Sequence, residues 1–231
     1  SQSLSVITVL DIHPLIKSSL ANEQDLKNIC TVLSDNSFAN FSDALLLKNV
    51  YILPEDMPED TPELKLKSVM SMAMRDIYFA VAKANPTLYV GVEVNETEMP
   101  KRAIYNIQQW FNGGFCDFVC VYDPYSTESD EISFMTYFEE WRTLLGLEGD
   151  IFCKLAYDKI GSNEDGWKQT DQILRQLKAL DTLDVKGFTL DGWHDFLNDN
   201  TESRDVIKKY FSHLLTNSYI LRELSVSKPT K

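Results

Sequence analysis

The chain has 231 residues and a formal net charge of −13, with 44% hydrophobic and 25% charged residues. That is the make-up of an ordinary globular protein, with enough length for one large or two small domains. The negative charge excludes binding to nucleic-acid phosphates or to an anionic membrane surface, and it suits a neutral or cationic small molecule or a basic protein partner. No apolar run is long enough to span a bilayer, and the N-terminus lacks a basic-then-apolar signal pattern. Cys30, Cys116, Cys120 and Cys153 form no Cys-x-x-Cys pair, and His13, His194 and His213 are scattered, so zinc spacing is absent. Buried free thiols point to a reducing, cytoplasmic setting, although a removed signal peptide would be compatible with the same chain. The two sequons, Asn40-Phe41-Ser42 and Asn95-Glu96-Thr97, are triplets of a kind that arises by chance.

In chain order, residues 5–10 (SVITVL) are β-branched and apolar and predict a buried strand, with Asp11 and His13 at its end. A helix is expected within 15–33, with Leu26, Ile29, Cys30 and Leu33 on one stripe. The second strand is expected at Val50-Tyr51-Ile52-Leu53, ended by Pro54, and an acidic, solvated loop follows at Glu55 to Asp60. Thr61-Pro62 starts a helix carrying Leu66, Val69, Met70, Ala73, Ile77 and Val81, whose methionines read as core filler. Strands are expected at 88–94, 118–122, 151–157 and 187–190, each closing on a carboxylate: Glu93, Asp123, Asp158 and Asp191. Helical stripes follow them: Ile104 to Phe111, closed by Gly113-Gly114; Ile132 to Leu145; Trp167 to Leu177; and Val206 to Leu214. A short strand or helix end at Tyr219-Ile220-Leu221 and a frayed tail at 226–231 complete the reading.

Strands roughly 30 to 45 residues apart match a strand plus a crossover helix, which implies a parallel sheet. No composition break marks a linker, so residues 1–231 read as a single α/β domain. The winding expected is a (β/α)-barrel with outer helices; the alternative is an open, doubly wound α/β sheet. Alternation decides between them. Val90, Val92 and Val94 oppose Gly91, Glu93 and Asn95, and Cys153 and Leu155 oppose Lys154, Ala156 and Asp158. Phe188 and Leu190 likewise oppose Gly187, Thr189 and Asp191. A doubly wound sheet needs two apolar faces, whereas a barrel tolerates polar residues on its inner face near the top. The strand at 118–122 fits less well, because Val119 and Val121 share a face with Asp123.

Strand C-terminal ends are where such folds place their ligand sites. The candidate catalytic residues are therefore Lys154, Glu93, Asp191 and Asp158. Lys154 would be the nucleophile or base, Glu93 and Asp191 proton-transfer partners, and Asp158 the carboxylate that holds the lysine. Asp123, Tyr125, Trp193 and His194 are the expected substrate-binding residues at the mouth. This points to a small-molecule enzyme, lyase- or aldolase-like, doing Schiff-base or acid–base chemistry on a carbonyl substrate. One alternative is a glycoside hydrolase or carbohydrate-binding barrel, with Tyr125, Tyr157 and Trp193 stacking on sugars. The other is a non-catalytic barrel that binds a protein partner. No Gly-x-Gly-x-x-Gly, Walker loop or Gly-x-Ser-x-Gly elbow occurs. No cofactor or resident metal is expected; the one arrangement that would suit a hard cation is Mg²⁺ on Asp123, Asp158 and Asp191.

Overall fold

A computed structural model describes residues 7–14, 23–35, 42–50, 63–95, 107–128, 133–145, 151–164, 166–168, 171–183, 185–191, 205, 208 and 209. Within them strands and helices alternate: β1 (Ile7–Asp11), α1 (Glu23–Leu33), β2 (Ala44–Lys48), α2 (Glu63–Ala84), β3 (Tyr89–Val94) and α3 (Ile107–Asn112). The order continues with β4 (Phe118–Asp123), α4 (Phe134–Leu145), β5 (Ile151–Ala156), a 3-10 turn (Tyr157–Lys159), α5 (Gln172–Leu180) and β6 (Gly187–Asp191). The six strands form one sheet in the order β1-β2-β3-β4-β5-β6. Pairing is parallel at β1/β2, β2/β3 and β5/β6. A doubly wound sheet reverses its strand order at a switch point. This sheet has no reversal, so its winding is that of a (β/α)-barrel, and the doubly wound alternative fails.

The second strand lies earlier than the sequence suggests. Residues 50–53 are more β-branched, yet β2 is Ala44-Leu45-Leu46-Leu47-Lys48. Leu45 and Leu47 are wholly buried, and the run pairs in register with β1 on one side and β3 on the other. Burial between two neighbours outweighs intrinsic strand preference here. Val50 is buried just beyond the strand end, and residues 51–53 lie outside the described residues. The same holds for the acidic loop at 55–60, the short element at 219–221 and the tail.

The fold has two compact units, Ser1–Cys120 and Val121–Lys231, and the boundary falls inside β4, not in a linker. In the first unit, Leu45, Leu47, Val90 and Val92 make one fully buried face of the strands. Helix α2 supplies Met70, Ala73, Met74, Ile77, Tyr78 and Val81 at helical spacing, all buried. Two polar ties hold this helix. Tyr78 Oη donates to Asp117 Oδ1 at 3.2 Å, and Ser71 Oγ accepts from Trp110 Nε1 at 2.9 Å. The other oxygen of Asp117 accepts from the Val90 N–H at 2.9 Å, so a single carboxylate ties α2 to β3.

In the second unit, Phe134, Tyr137, Phe138, Trp141 and Leu145 line the buried side of α4, and Ile173, Leu177 and Leu180 that of α5. The β4–α4 connection is held by side chains. Gln176 Nε2 donates to the Tyr125 carbonyl at 2.7 Å, Gln172 Nε2 to Thr127 Oγ1 at 3.0 Å and Trp167 Nε1 to the Pro124 carbonyl at 3.1 Å. Trp167 was expected on the α5 stripe; it sits in the turn before that helix, buried for the sake of this connection. No described helix is long and apolar enough to cross a membrane.

Candidate functional site

Strand register sets the geometry at the tips of β5 and β6. Lys154 pairs with Thr189 and Ala156 with Asp191, so Asp191 lies one side-chain layer above Lys154 on the same face. Their side chains bridge that layer: Lys154 Nζ is 3.0 Å from Asp191 Oδ2. Lys154 is only 8% exposed, and its Nζ lies 5.3 Å from the centroid of the Tyr122 ring. That places the lysine head group against an aromatic ring with a carboxylate partner. One layer below, Gly187 leaves room for the Phe152 ring, which a Cβ at 187 would approach to 3.0 Å.

Asp158, expected to hold Lys154, does not make that ion pair. The chain leaves the strand at Tyr157 and turns into the 3-10 segment, which carries Asp158 to the surface. Its carboxyl nevertheless binds its proton more tightly than an ordinary carboxyl. Partial desolvation is the main cause and the negative charge of Asp191 the second; Lys159 and Lys154 pull the other way. Asp158 is therefore electrostatically linked to the Lys154–Asp191 pair.

Glu93, expected as a proton-transfer partner of Lys154, has a different ion-pair partner. Its Oε1 stands 3.7 Å from Lys48 Nζ, and the residue is 3% exposed. Register explains the meeting: Leu47 pairs with Val92 and Asp11 with Lys48, so the tips of β1, β2 and β3 bring Asp11, Lys48 and Glu93 side by side. Lys48 escaped the sequence reading because the strand was expected at Val50–Leu53, beyond the actual strand end. The signal was present in Leu45-Leu46-Leu47-Lys48, an apolar run ending in a charge, as in the other strands.

Asp123 was expected at the rim and is instead wholly buried, at 0% exposure. Its Oδ1 accepts from the Tyr125 N–H at 3.1 Å, while Oδ2 has no hydrogen-bond partner among the described residues. Desolvation drives its proton affinity well above the usual carboxylate range, against the smaller effect of the Tyr125 bond. Tyr125 is half-buried with its ring against Tyr137 at 4.9 Å, which commits one ring face to packing. Trp193 and His194 lie outside the described residues. His13 donates its backbone N–H to Asp11 Oδ1 at 3.0 Å. Among the described residues no three His, Cys, Asp or Glu side chains gather as a metal-ligand set, and Asp123, Asp158 and Asp191 do not form one.

No protein-family model matches the chain, and no curated protein matches it in sequence. Among solved structures it is similar to wild-type GGGPS from Thermoplasma volcanium, with a TM-score of 0.39 and 10% identity. The match covers 81% of this chain and 65% of that one, so the chain spans just under two thirds of its neighbour's length. A likeness of that degree assigns neither reaction nor ligand.

Proposed function

We propose that the protein is a small-molecule enzyme carrying out acid–base chemistry on a carbonyl substrate at the tips of β5 and β6. The observation that carries this reading is the ion pair of buried Lys154 with the partly exposed Asp191, with Lys154 against the Tyr122 ring and Asp158, whose proton affinity is raised, electrostatically linked to it. A charged lysine held in this way is a poor Schiff-base nucleophile, since that role needs the neutral amine. It is a good electrophile, because an oriented ammonium stabilises negative charge as it develops on an oxygen.

The roles follow from that difference. Asp158, as carboxylate, takes a proton from the carbon next to the substrate carbonyl. The C–H electron pair forms the enolate, its oxygen accepts a hydrogen bond from Lys154 Nζ, and Asp158 returns the proton to carbon. Asp191 keeps Lys154 charged and aimed. A carboxyl with raised proton affinity is better matched to this work than an ordinary one, because it is the stronger base.

Deuterium exchange into 2-oxo acids, 3-oxo acids and aldehydes, followed by NMR, tests the reading. The wild type should catalyse exchange; D158N should lose roughly 100-fold or more and K154M a comparable factor. Exchange that survives in both variants, or none with any of these compounds, would count against it. Borohydride treatment with the same compounds separates the Schiff-base version, which alone yields an adduct at Lys154.

A further inference from the structure

Asp158 lies on an exposed 3-10 turn beyond the end of β5, so strand pairing does not fix it. The segment that follows holds the turn. The Ile160 N–H donates to the Tyr157 carbonyl at 3.1 Å, and the Gly161 N–H donates to the Trp167 carbonyl at 2.8 Å. Gly161 makes that bond from a left-handed backbone at φ 81°. Trp167 is 1% exposed, and its Nε1–H donates to the Pro124 carbonyl at 3.1 Å, one residue past the end of β4. Its neighbour Gly166 sits so close to the buried Ser126 that a Cβ there would overlap Ser126 Oγ. All of these residues belong to the second unit.

Backbone bonds alone would close such a segment on itself. A buried indole whose N–H is spent on the Pro124 carbonyl does more, because it ties the segment to the end of another strand. Asp158 is thereby linked to β4 through its own turn, the Gly161–Trp167 bond and the Trp167 side chain. We infer that Trp167 is a positioning residue for the reaction, an inference that rests on the function proposed above: it docks the 157–167 segment on the end of β4 and so fixes where Asp158 stands relative to Lys154. A slack dock lets water reach Asp158. Its raised proton affinity comes first from desolvation and next from the Asp191 charge, against Lys159 and Lys154, so added water brings it down toward the ordinary value of 3.8.

The test is W167F in the full chain, which keeps an aromatic ring in the core and removes the N–H. G91A, crowded against Phe118 in the first unit, controls for lost stability alone. One readout is deuterium exchange into the 2-oxo acid, 3-oxo acid or aldehyde that the wild type handles best. The other is a carbon NMR titration of the Asp158 carboxyl. In W167F, kcat should fall roughly 10-fold or more with KM nearly unchanged. The acid limb of its rate profile should move to lower pH, and Asp158 should titrate lower, while G91A matches the wild type throughout. If W167F does not fold, G161A carries the test: a Cβ at 161 meets nothing within 4 Å, so alanine strains the turn and leaves the core untouched. Wild-type kcat with an unmoved Asp158 titration in the folded variant would overturn the proposal, and so would the same changes in G91A. A wild type that exchanges none of these compounds removes the function proposed above, and the Asp158 titration then decides the docking role by itself.

Discussion

Asp123 and Lys154 are both buried ionisable side chains, and they meet the cost of burial in opposite ways. Lys154 is paired with Asp191, whose side chain is 40% exposed. Removing one partner is therefore not equivalent to removing the other. D191N strands a buried ammonium and is expected to cost about 1–2 kcal/mol, while K154M leaves a carboxylate that water can solvate and should cost less than about 1 kcal/mol. Urea unfolding of the two variants measures the difference. Asp123 instead has no cation acting on it among the described residues, and burial raises its proton affinity above the ordinary value of 3.8. The folded state then binds a proton that the unfolded chain releases. Stability from this group is greatest below that value and is lost as pH rises through the higher pKa of the folded protein. D123N, with no proton to lose, should gain on the wild type as pH rises, and paired melting curves from acid to neutral pH should show the gap widen.

At the scale of elements, the same packing device occurs in each unit. Phe118 on β4 lies over Gly91 on β3, and Phe152 on β5 lies over Gly187 on β6. In both cases a glycine gives up its side chain so that a ring from the neighbouring strand can cross the layer beneath a charged residue, Glu93 in one unit and Lys154 in the other. A methyl group at 91 would overlap the Phe118 ring, both residues being buried. G91A is expected to destabilise by about 1–3 kcal/mol. Adding F118L should give a double variant less destabilised than the sum of the two single changes, and chemical denaturation checks this. G187A should cost less, since β6 is half-exposed and the approach there is 3.0 Å.

For the whole molecule, burial of the thiols offers a readout of folding. Cys116, Cys120 and Cys153 are buried, and Cys30 is half-buried. Desolvation, with the Asp117 charge adding to it, pushes the Cys116 thiol up to about 12, so it offers no thiolate near neutral pH. An aromatic disulfide reagent should react in native buffer with Cys30 alone, slowly, and with all four cysteines only once denaturant unfolds the chain. Fast native labelling of Cys116, Cys120 or Cys153 would contradict the buried placement of β4 and β5.

Local chemistry was enough to determine the parallel α/β class, the alternation of strands and helices, and the placing of carboxylates and Lys154 at strand ends. Those features depend on side-chain period and crossover length, which neighbouring residues carry. The face pattern of Gly91-Val92-Glu93 and Lys154-Leu155-Ala156 also pointed to barrel winding before strand order was known. Partnership was different. That Lys154 meets Asp191 and not Asp158, that Glu93 meets Lys48, and that Asp123 is buried all depend on interstrand register and on where β5 breaks into a 3-10 turn. Such pairings join residues as much as 45 positions apart, as in Glu93 with Lys48, and no run of adjacent side chains records which pairing has the lowest free energy. The position of β2 was also a tertiary decision, because burial between two neighbouring strands stabilises Leu45-Leu46-Leu47 more than β-branching stabilises residues 50–53.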